Sequence, residues 1–231
     1  MARASFNAVD LSAYSTLDSS SLTKGNDYPT HGGTYSIGSV PFLSAANPYG
    51  SSAGEGVVGL GPIPYSNPYT VTITLNQTGI KSIYTLLDSY YGSTGTNISD
   101  VTLNGSTGTQ TYHYFEGANT RDHYFGNFTN TVAYGINATV YWQRGVQVTG
   151  GIGYVRNDMQ GFIVPGAIGD LNSITFSYTG TGNLVDGAPL LFGVTTSTDP
   201  LIGRNSAVPA PAALVPFLAG LIGMARRKRN S

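Results

Sequence analysis

Short segments with alternating apolar and polar residues recur along most of the chain. Residues 71–75 read Val-Thr-Ile-Thr-Leu, which has the two-residue period of a strand buried on one face. Further runs of this kind occupy residues 34–37, 101–103, 111–115, 139–142, 161–164, 173–178 and 190–195. Turn-forming pairs such as Asn104-Gly105 and Asp186-Gly187 separate them. About eight short strands without a long amphipathic helix predict an all-β fold, an antiparallel β-sandwich or jelly roll.

Two segments depart from this alternation. Residues 79–91 place Ile83, Leu86 and Leu87 at the i, i+3 and i+4 spacing of a helix, so we predict one short helix at an end of the sandwich. Residues 43–69 are rich in Gly, Pro, Ser and Asn, which predicts a long surface loop.

The composition fits such a fold. Of the 231 residues 10% are charged and 40% hydrophobic, with 31 Gly and 16 Tyr. Frequent Gly and Tyr suit strands joined by turns, whereas a long coiled coil needs far more Glu, Lys and Arg. This share of hydrophobic residues can bury a core, so we do not expect wholesale disorder. The absence of Cys excludes disulfides, thiolate catalysis and Cys-ligated zinc.

Charge is unevenly distributed along the chain. Four of the 11 basic residues form a basic run, Arg226, Arg227, Lys228 and Arg229, and none of the 12 acidic residues lies beyond Asp199. The chain before the basic run is therefore mildly acidic. This argues against nucleic acid as a partner, because DNA and RNA require a basic face.

An apolar segment precedes the basic run. Residues 212–225 read AALVPFLAGLIGMA and contain no polar side chain. A helix of this length spans about 21 Å, less than the ~30 Å hydrocarbon core, which predicts a short transmembrane helix stopped by the basic run. The positive-inside rule leaves the cations in the cytoplasm and the rest of the chain outside it. A buried core helix is the alternative, but it does not explain the adjoining cations.

We accordingly divide the chain into three parts. Residues 1–198 form the predicted β-sandwich ectodomain, residues 199–207 a linker and residues 208–231 a membrane tail. Within the tail, Val208, Pro209, Ala210, Pro211 and Ala212 come first, followed by the apolar segment and the basic run.

This order of parts resembles a PEP-CTERM-type sorting signal in its Val-Pro-x-Pro-Ala variant, with Ala210 where the commonest form has Glu. The resemblance implies a Gram-negative surface protein whose tail is processed by an exosortase, a membrane transpeptidase-like enzyme. The sorting motif would then consist of Val208, Pro209, Pro211 and Ala212, and the basic run would be the membrane stop.

Export also requires an N-terminal signal with a basic start and an apolar stretch. Residues 1–10 contain no such stretch, so the start lies further upstream, the segment was trimmed, or export follows another route. We favour the first. The expected location is the inner membrane with the ectodomain outside the cytoplasm, or the cell surface and extracellular space after processing.

The body of the chain carries a second resemblance. Its landmarks are Gly38-Ser39-Val40-Pro41-Phe42, Ile83-Tyr84-Thr85-Leu86-Leu87, Arg121-Asp122-His123, Ile174-Thr175-Phe176 and Pro189-Leu190-Leu191-Phe192-Gly193-Val194. In this order, over residues 30–196, they are similar to galactose-binding-like jelly-roll domains of bacterial surface and glycosidase-associated proteins. The resemblance implies the fold and carbohydrate binding, and it supplies no catalytic residue.

Arg121, Asp122 and His123 form the densest ionisable cluster of this charge-poor chain. An Asp–Arg pair can bind the vicinal hydroxyls of a sugar, because Asp accepts and Arg donates hydrogen bonds. The alternative is a structural turn in which Asp122 binds local amides and Arg121 balances its charge. Both interpretations stay open, and we favour the turn.

Other candidate chemistry is less specific. Tyrosines are frequent between residues 84 and 178, where their rings could stack on sugars, although strands favour Tyr in any case. Asp158, Asp170 and Asp186 could help to hold a structural calcium ion, since hard cations take oxygen ligands, but their spacing matches no calcium loop. No other cofactor or metal is predicted.

These observations predict an exported, non-catalytic protein with a structural or adhesive role at the cell surface or in the extracellular polysaccharide matrix. Its expected partners are an exosortase-type enzyme, the membrane and polysaccharide. The alternative function is a carbohydrate-binding module that recognises a surface or matrix glycan. An esterase or glycosidase is not expected, because neither a nucleophile–base pair nor paired carboxylates are evident.

Overall fold

The computed structural model describes residues 5–30, 32–49, 54–61, 68–124, 138–149, 153–182 and 187–201. Within these ranges the strands are β1 (Phe6–Val9), β2 (Leu17–Asp18), β3 (Thr34–Ile37), β4 (Val40–Leu43), β5 (Gly56–Gly59), β6 (Thr70–Gln77), β7 (Ser82–Tyr90), β8 (Asn97–Gly105), β9 (Thr109–Phe115), β10 (Ala138–Gln143), β11 (Val146–Val148), β12 (Val155–Ile163), β13 (Leu171–Tyr178) and β14 (Ala188–Ser197). The helical segments are single 3₁₀ turns at Ser19–Ser21, Gly25–Asp27 and Gly166–Ile168. The prediction of an all-β protein is confirmed, and every predicted alternating run overlaps a strand.

The larger sheet is antiparallel and has eight strands. Its order is β11-β10-β12-β7-β14-β5-β2, and β1 pairs with β14 beside this path. One edge of β14 is shared, because Leu190 and Leu191 pair with β5 whereas residues 194–197 pair with β1. The opposite edge of β14 pairs with β7. β14 is therefore a central strand of the sheet.

A four-stranded antiparallel sheet, in the order β6-β13-β8-β9, covers one face of the larger sheet. The apolar core between the two sheets includes Ile73, Val101, Leu103, Ile174 and Phe176 from the smaller sheet and Ile83, Leu87, Phe162, Leu191 and Val194 from the larger one. Two antiparallel sheets that share one core in this way are consistent with a β-sandwich.

The second face of the larger sheet is also covered. Here the β3–β4 hairpin and the segment before it supply Phe42, Leu22 and Tyr28 to a second apolar cluster, which meets Tyr84 of β7 and Phe192 of β14. The central strands β7 and β14 are consequently buried on both faces.

The short helix that we predicted at residues 79–91 is wrong. Residues 82–90 form strand β7, in which Ile83 and Leu87 contact the core between the sheets while Tyr84 and Leu86 contact the second cluster. A strand buried on both faces needs apolar residues on both, so it loses the two-residue alternation. Its consecutive apolar residues then also match a helical spacing.

The surface loop predicted at residues 43–69 needs a correction as well. Gly56–Gly59 forms strand β5, which is fully buried between β14 and β2. Gly-rich sequence is tolerated here because the chain passes close to its neighbours: a Cβ on Gly56 would lie 2.2 Å from the Ala46 carbonyl oxygen. Part of the predicted loop, residues 50–53 and 62–67, lies outside the described residues.

None of the helices in the described ranges has the length and apolar character needed to cross a membrane. The predicted transmembrane helix, the sorting motif and the basic run fall within residues 202–231, outside those ranges.

Candidate functional site

The cluster Arg121, Asp122 and His123 lies beside the end of β7. The Ser89 N–H donates to the Arg121 carbonyl at 2.9 Å, and the His123 N–H donates to the Ser89 carbonyl at 2.8 Å. These bonds make residues 121–123 a short extension of the larger sheet, with a parallel bridge between Ser89 and Asp122. The three side chains are thus placed by backbone pairing and not by an isolated turn.

Arg121 forms a two-pronged ion pair with Asp158 of β12. Its Nε lies 2.6 Å from Asp158 Oδ2 and its Nη2 lies 2.9 Å from Oδ1, while Nη2 also donates to Thr139 Oγ1. The Asp158 side chain is 1% exposed and that of Arg121 14%. Arg121 therefore pairs with Asp158, whereas the turn interpretation expected it to balance the charge of Asp122.

Asp122 binds two backbone amides that belong to aromatic residues. Its Oδ2 accepts a hydrogen bond from the Tyr91 N–H at 2.8 Å, and its Oδ1 accepts one from the Tyr124 N–H at 2.7 Å. Asp122 itself is 6% exposed. The local amide binding that the turn interpretation expects is present, together with a longer-range bond to Tyr91.

His123 is buried between two tyrosine rings. Its ring centroid lies 5.6 Å from that of Tyr90 and 6.1 Å from that of Tyr28, and both pairs are stacked. Its Nδ1 lies 3.2 Å from the Tyr28 hydroxyl. Burial lowers the pKa of His123 to about 4, because the apolar surroundings disfavour the imidazolium, and the charge of Asp122 offsets only part of this. The imidazole is neutral at pH 7.

The structure places further buried carboxyl groups around this cluster, and our sequence reasoning missed them. Glu116 is fully buried, and its Oε1 accepts a hydrogen bond from the Ser89 hydroxyl at 2.9 Å while its Oε2 has no hydrogen-bond partner. Burial raises the pKa of Glu116 to about 8. Burial, followed by the charge of Asp158, also raises the pKa of Asp88 well above its usual range.

Glu55, next to β5, is likewise fully buried. Neither of its carboxyl oxygens has a hydrogen-bond partner, although the nearby Ser44 hydroxyl counteracts part of the pKa shift that burial causes. Burial raises the pKa of Glu55 to about 8. The two glutamates of the sequence are thus both buried, and no local motif marks them, because their surroundings come from distant segments.

The calcium candidates do not come together as a metal site in the described part of the chain. No group of three or more His, Asp or Glu side chains there could hold a metal ion. Asp158 is engaged by Arg121, and Asp170 Oδ1 accepts a hydrogen bond from the Gly79 N–H at 3.3 Å. Asp186 lies outside the described residues.

A cleft of about 400 Å³ lies between residues 36–38 and the β10–β11 hairpin, where residues 139–140 and 147–149 line it. Its lining side chains are polar or aliphatic, so it offers no aromatic ring on which a sugar could stack.

Neither the scan against protein-family models nor the search of curated proteins found a match for this chain.

Proposed function

We propose that this chain is an exported, non-catalytic protein of the bacterial cell surface or extracellular matrix. In this proposal its body is a jelly roll outside the cytoplasm, and its tail is both a PEP-CTERM-type sorting signal and a membrane anchor. The observation that carries the proposal is the order of features at the C-terminal end: the Val-Pro-x-Pro-Ala motif, the apolar segment at 212–225 and the basic run. Four cations beside a short apolar segment favour one orientation, with the body outside.

The two apolar clusters are assembled among residues of the described ranges. We expect a variant without the tail to keep this packing.

Cell fractionation tests the proposed anchor. The chain, preceded by a cleavable export signal and produced in a Gram-negative host, should remain in the membrane pellet after an alkaline carbonate wash. A variant lacking residues 208–231 should move to the soluble periplasmic fraction with the same melting temperature. A shortened chain that stays in the washed membranes would contradict the proposal.

Two sets of substitutions separate anchoring from sorting. Replacement of the four residues of the basic run by Gln should weaken retention, because nothing then stops the apolar segment in the membrane. The pair Pro209→Ala and Pro211→Ala should leave retention intact but prevent the size decrease on processing in a host that contains an exosortase. Unchanged processing of the proline variant would remove the sorting signal from the proposal.

A carbohydrate-binding module is the second candidate function. The observation that favours it is the exposed ring of Tyr91 at the end of β7, where Asp122 binds the Tyr91 amide. Exposed aromatic rings are suitable surfaces for sugars because they are apolar on the face and carry a polar hydroxyl.

A further inference from the structure

Tyr91 combines exposure with a strained backbone. Its side chain is 52% exposed, and its φ of 61° lies in the left-handed region that bulky residues rarely adopt. Such a conformation persists only where the surrounding structure enforces it, and it is concentrated at sites that bind ligands. A glycine would fit this backbone without strain, whereas this position carries a large aromatic ring that is half exposed.

Contacts on two sides hold Tyr91 in this conformation. The buried Asp122 carboxylate accepts its N–H at 2.8 Å. The Tyr90 ring meets the Tyr91 ring edge-on, with 4.7 Å between centroids, and Tyr90 in turn stacks on the buried His123. The exposed ring is therefore supported by a row of rings that continues into the protein interior.

The same carboxylate also holds Tyr124. Since the two Asp122 oxygens bind the amides of Tyr91 and Tyr124, the backbones of these tyrosines lie side by side. The Lys24 ammonium lies 4.9 Å from the centroid of the Tyr124 ring and donates a hydrogen bond to the Gly153 carbonyl at 3.0 Å. The ammonium thus lies over one face of the Tyr124 ring, and the other face of that ring remains for a ligand.

The aromatic surface of Tyr91 and Tyr124 lies at the end of β7 opposite to the end that pairs with Ser197. Ser82 pairs with Ser197, after which the chain leaves the sheet, whereas Tyr90 pairs with Ala188 at the opposite end. Eight residues of strand separate the two ends by about 26 Å.

We propose that Tyr91 and Tyr124 form an aromatic platform that binds the apolar face of a sugar ring in a neutral polysaccharide. Asp122 is the positioning residue for both rings, and Lys24 donates a hydrogen bond to a sugar hydroxyl. A neutral polymer fits better than an acidic one because the body is itself mildly acidic. The inference rests on the second of the two proposed functions.

Affinity electrophoresis of the purified full chain tests the platform. The native gels contain hydroxyethyl cellulose, xylan, galactan or, as an anionic comparison, alginate, and the detergent carries no sugar headgroup. At least one neutral polymer should retard the chain, and alginate should not. Lack of retardation by all three neutral polymers, or retardation by alginate alone, would overturn the inference.

Substitutions at Tyr91 separate binding from stability. Tyr91→Gly should abolish retardation while the melting temperature stays constant or rises, because the backbone strain is relieved. Tyr91→Trp should preserve binding, and Tyr49→Gly, at a tyrosine that is 66% exposed, should not change it. Retained binding in the Tyr91→Gly variant would overturn the inference. The inference would also be overturned if Tyr91→Gly lost both binding and stability and Tyr91→Trp did not bind.

Asp122→Asn tests the positioning role. Asn keeps one acceptor oxygen and can hold only one of the two amides, so affinity should fall a few-fold. In the Tyr91→Trp background, where binding persists, the same substitution should cause a similar few-fold loss, because Asp122 still holds the amide of residue 91. Unchanged retardation of the Asp122→Asn variant would contradict the positioning role. Because these measurements use purified protein, their failure leaves the fractionation result unaffected, and the reverse also holds.

Discussion

At the scale of single residues, Arg121 neutralises the charge of a buried carboxylate, that of Asp158. It donates two hydrogen bonds to the Asp158 carboxylate, which is almost completely buried and also accepts one from the Thr139 hydroxyl, and Asp88 adds a second carboxyl nearby. A buried carboxylate that loses its partner keeps the full cost of desolvation. The stability that the ion pair itself adds is therefore smaller than the stability lost when Arg121 is removed and the Asp158 carboxylate stays buried without its cation.

Arg121→Ala should lower the free energy of unfolding by about 3–5 kcal/mol, because it leaves Asp158 buried without its cation. Lys81→Ala, at an exposed cation, should have little effect. Chemical denaturation of both variants measures the difference. Equal stabilities would mean that the Arg121–Asp158 pair is not formed in solution.

The sequence singled out this cluster but did not predict its contacts. Arg121, Asp122 and His123 stood out because charge is scarce, and a local role for the Asp122 carboxylate could be predicted. Arg121 pairs with a residue 37 positions away, Asp122 with one 31 positions away and His123 with one 95 positions away. Such partners depend on strand order, which no local pattern encodes.

At the scale of elements, the outer strand β9 shows how an exposed sheet edge is closed. The Asn119 side chain accepts the Phe115 N–H at 2.7 Å with its Oδ1 and donates to the His113 carbonyl at 2.9 Å with its Nδ2. One side-chain amide thus takes the place of a peptide group on a neighbouring strand. Unpaired edge groups would otherwise be open to another chain.

Asn119→Ala should increase self-association at high protein concentration, because the freed Phe115 and His113 backbone groups can pair with a second copy. Asn172→Ala, at an exposed position of β13, serves as the comparison. Sedimentation velocity over a range of concentrations measures the effect. Identical profiles for the two variants would show that Asn119 does not protect the edge.

The strands also show where pattern reading succeeds. The four-stranded sheet has one exposed face, so β6 and β13 alternate and were predicted from the sequence. β7 has no exposed face, and its consecutive apolar residues suggested a helix. Apolar and polar residues alternate in a strand when one face of its sheet is exposed. A strand that is buried on both faces lacks this alternation.

At the scale of the whole molecule, two buried glutamates should make stability fall as the pH rises above about 4, and one buried histidine opposes part of this fall. The carboxyls of Glu55 and Glu116 ionise near pH 4.3 in an unfolded chain but only at about 8 when buried, so their contribution is present at low pH and lost as pH rises to 8. His123 acts oppositely: its folded pKa of about 4 means that stability is lost as pH falls from about 6.5.

The melting temperature should accordingly decrease from pH 6 to pH 9, and Glu55→Gln should flatten this alkaline decrease by several degrees because the amide cannot ionise. His123→Phe should instead steepen the decrease between about pH 4 and pH 6.5, because the opposing contribution of the imidazole is lost. Thermal unfolding followed by circular dichroism over pH 3–10 measures both effects. An alkaline limb that is the same in Glu55→Gln as in the unaltered protein would show that the Glu55 carboxyl is already ionised near neutral pH.

The central position of β14 has a consequence for the order in which the molecule can form. β14 follows every other described strand in the chain, yet it lies between β7 on one side and β5 and β1 on the other. The first strand, β1, cannot pair until its partner has been synthesised 191 residues later, since Phe6 pairs with Ser197. The larger sheet cannot close while the ribosome is still making the body. The complete larger sheet therefore forms only after residues 188–197 have left the ribosome.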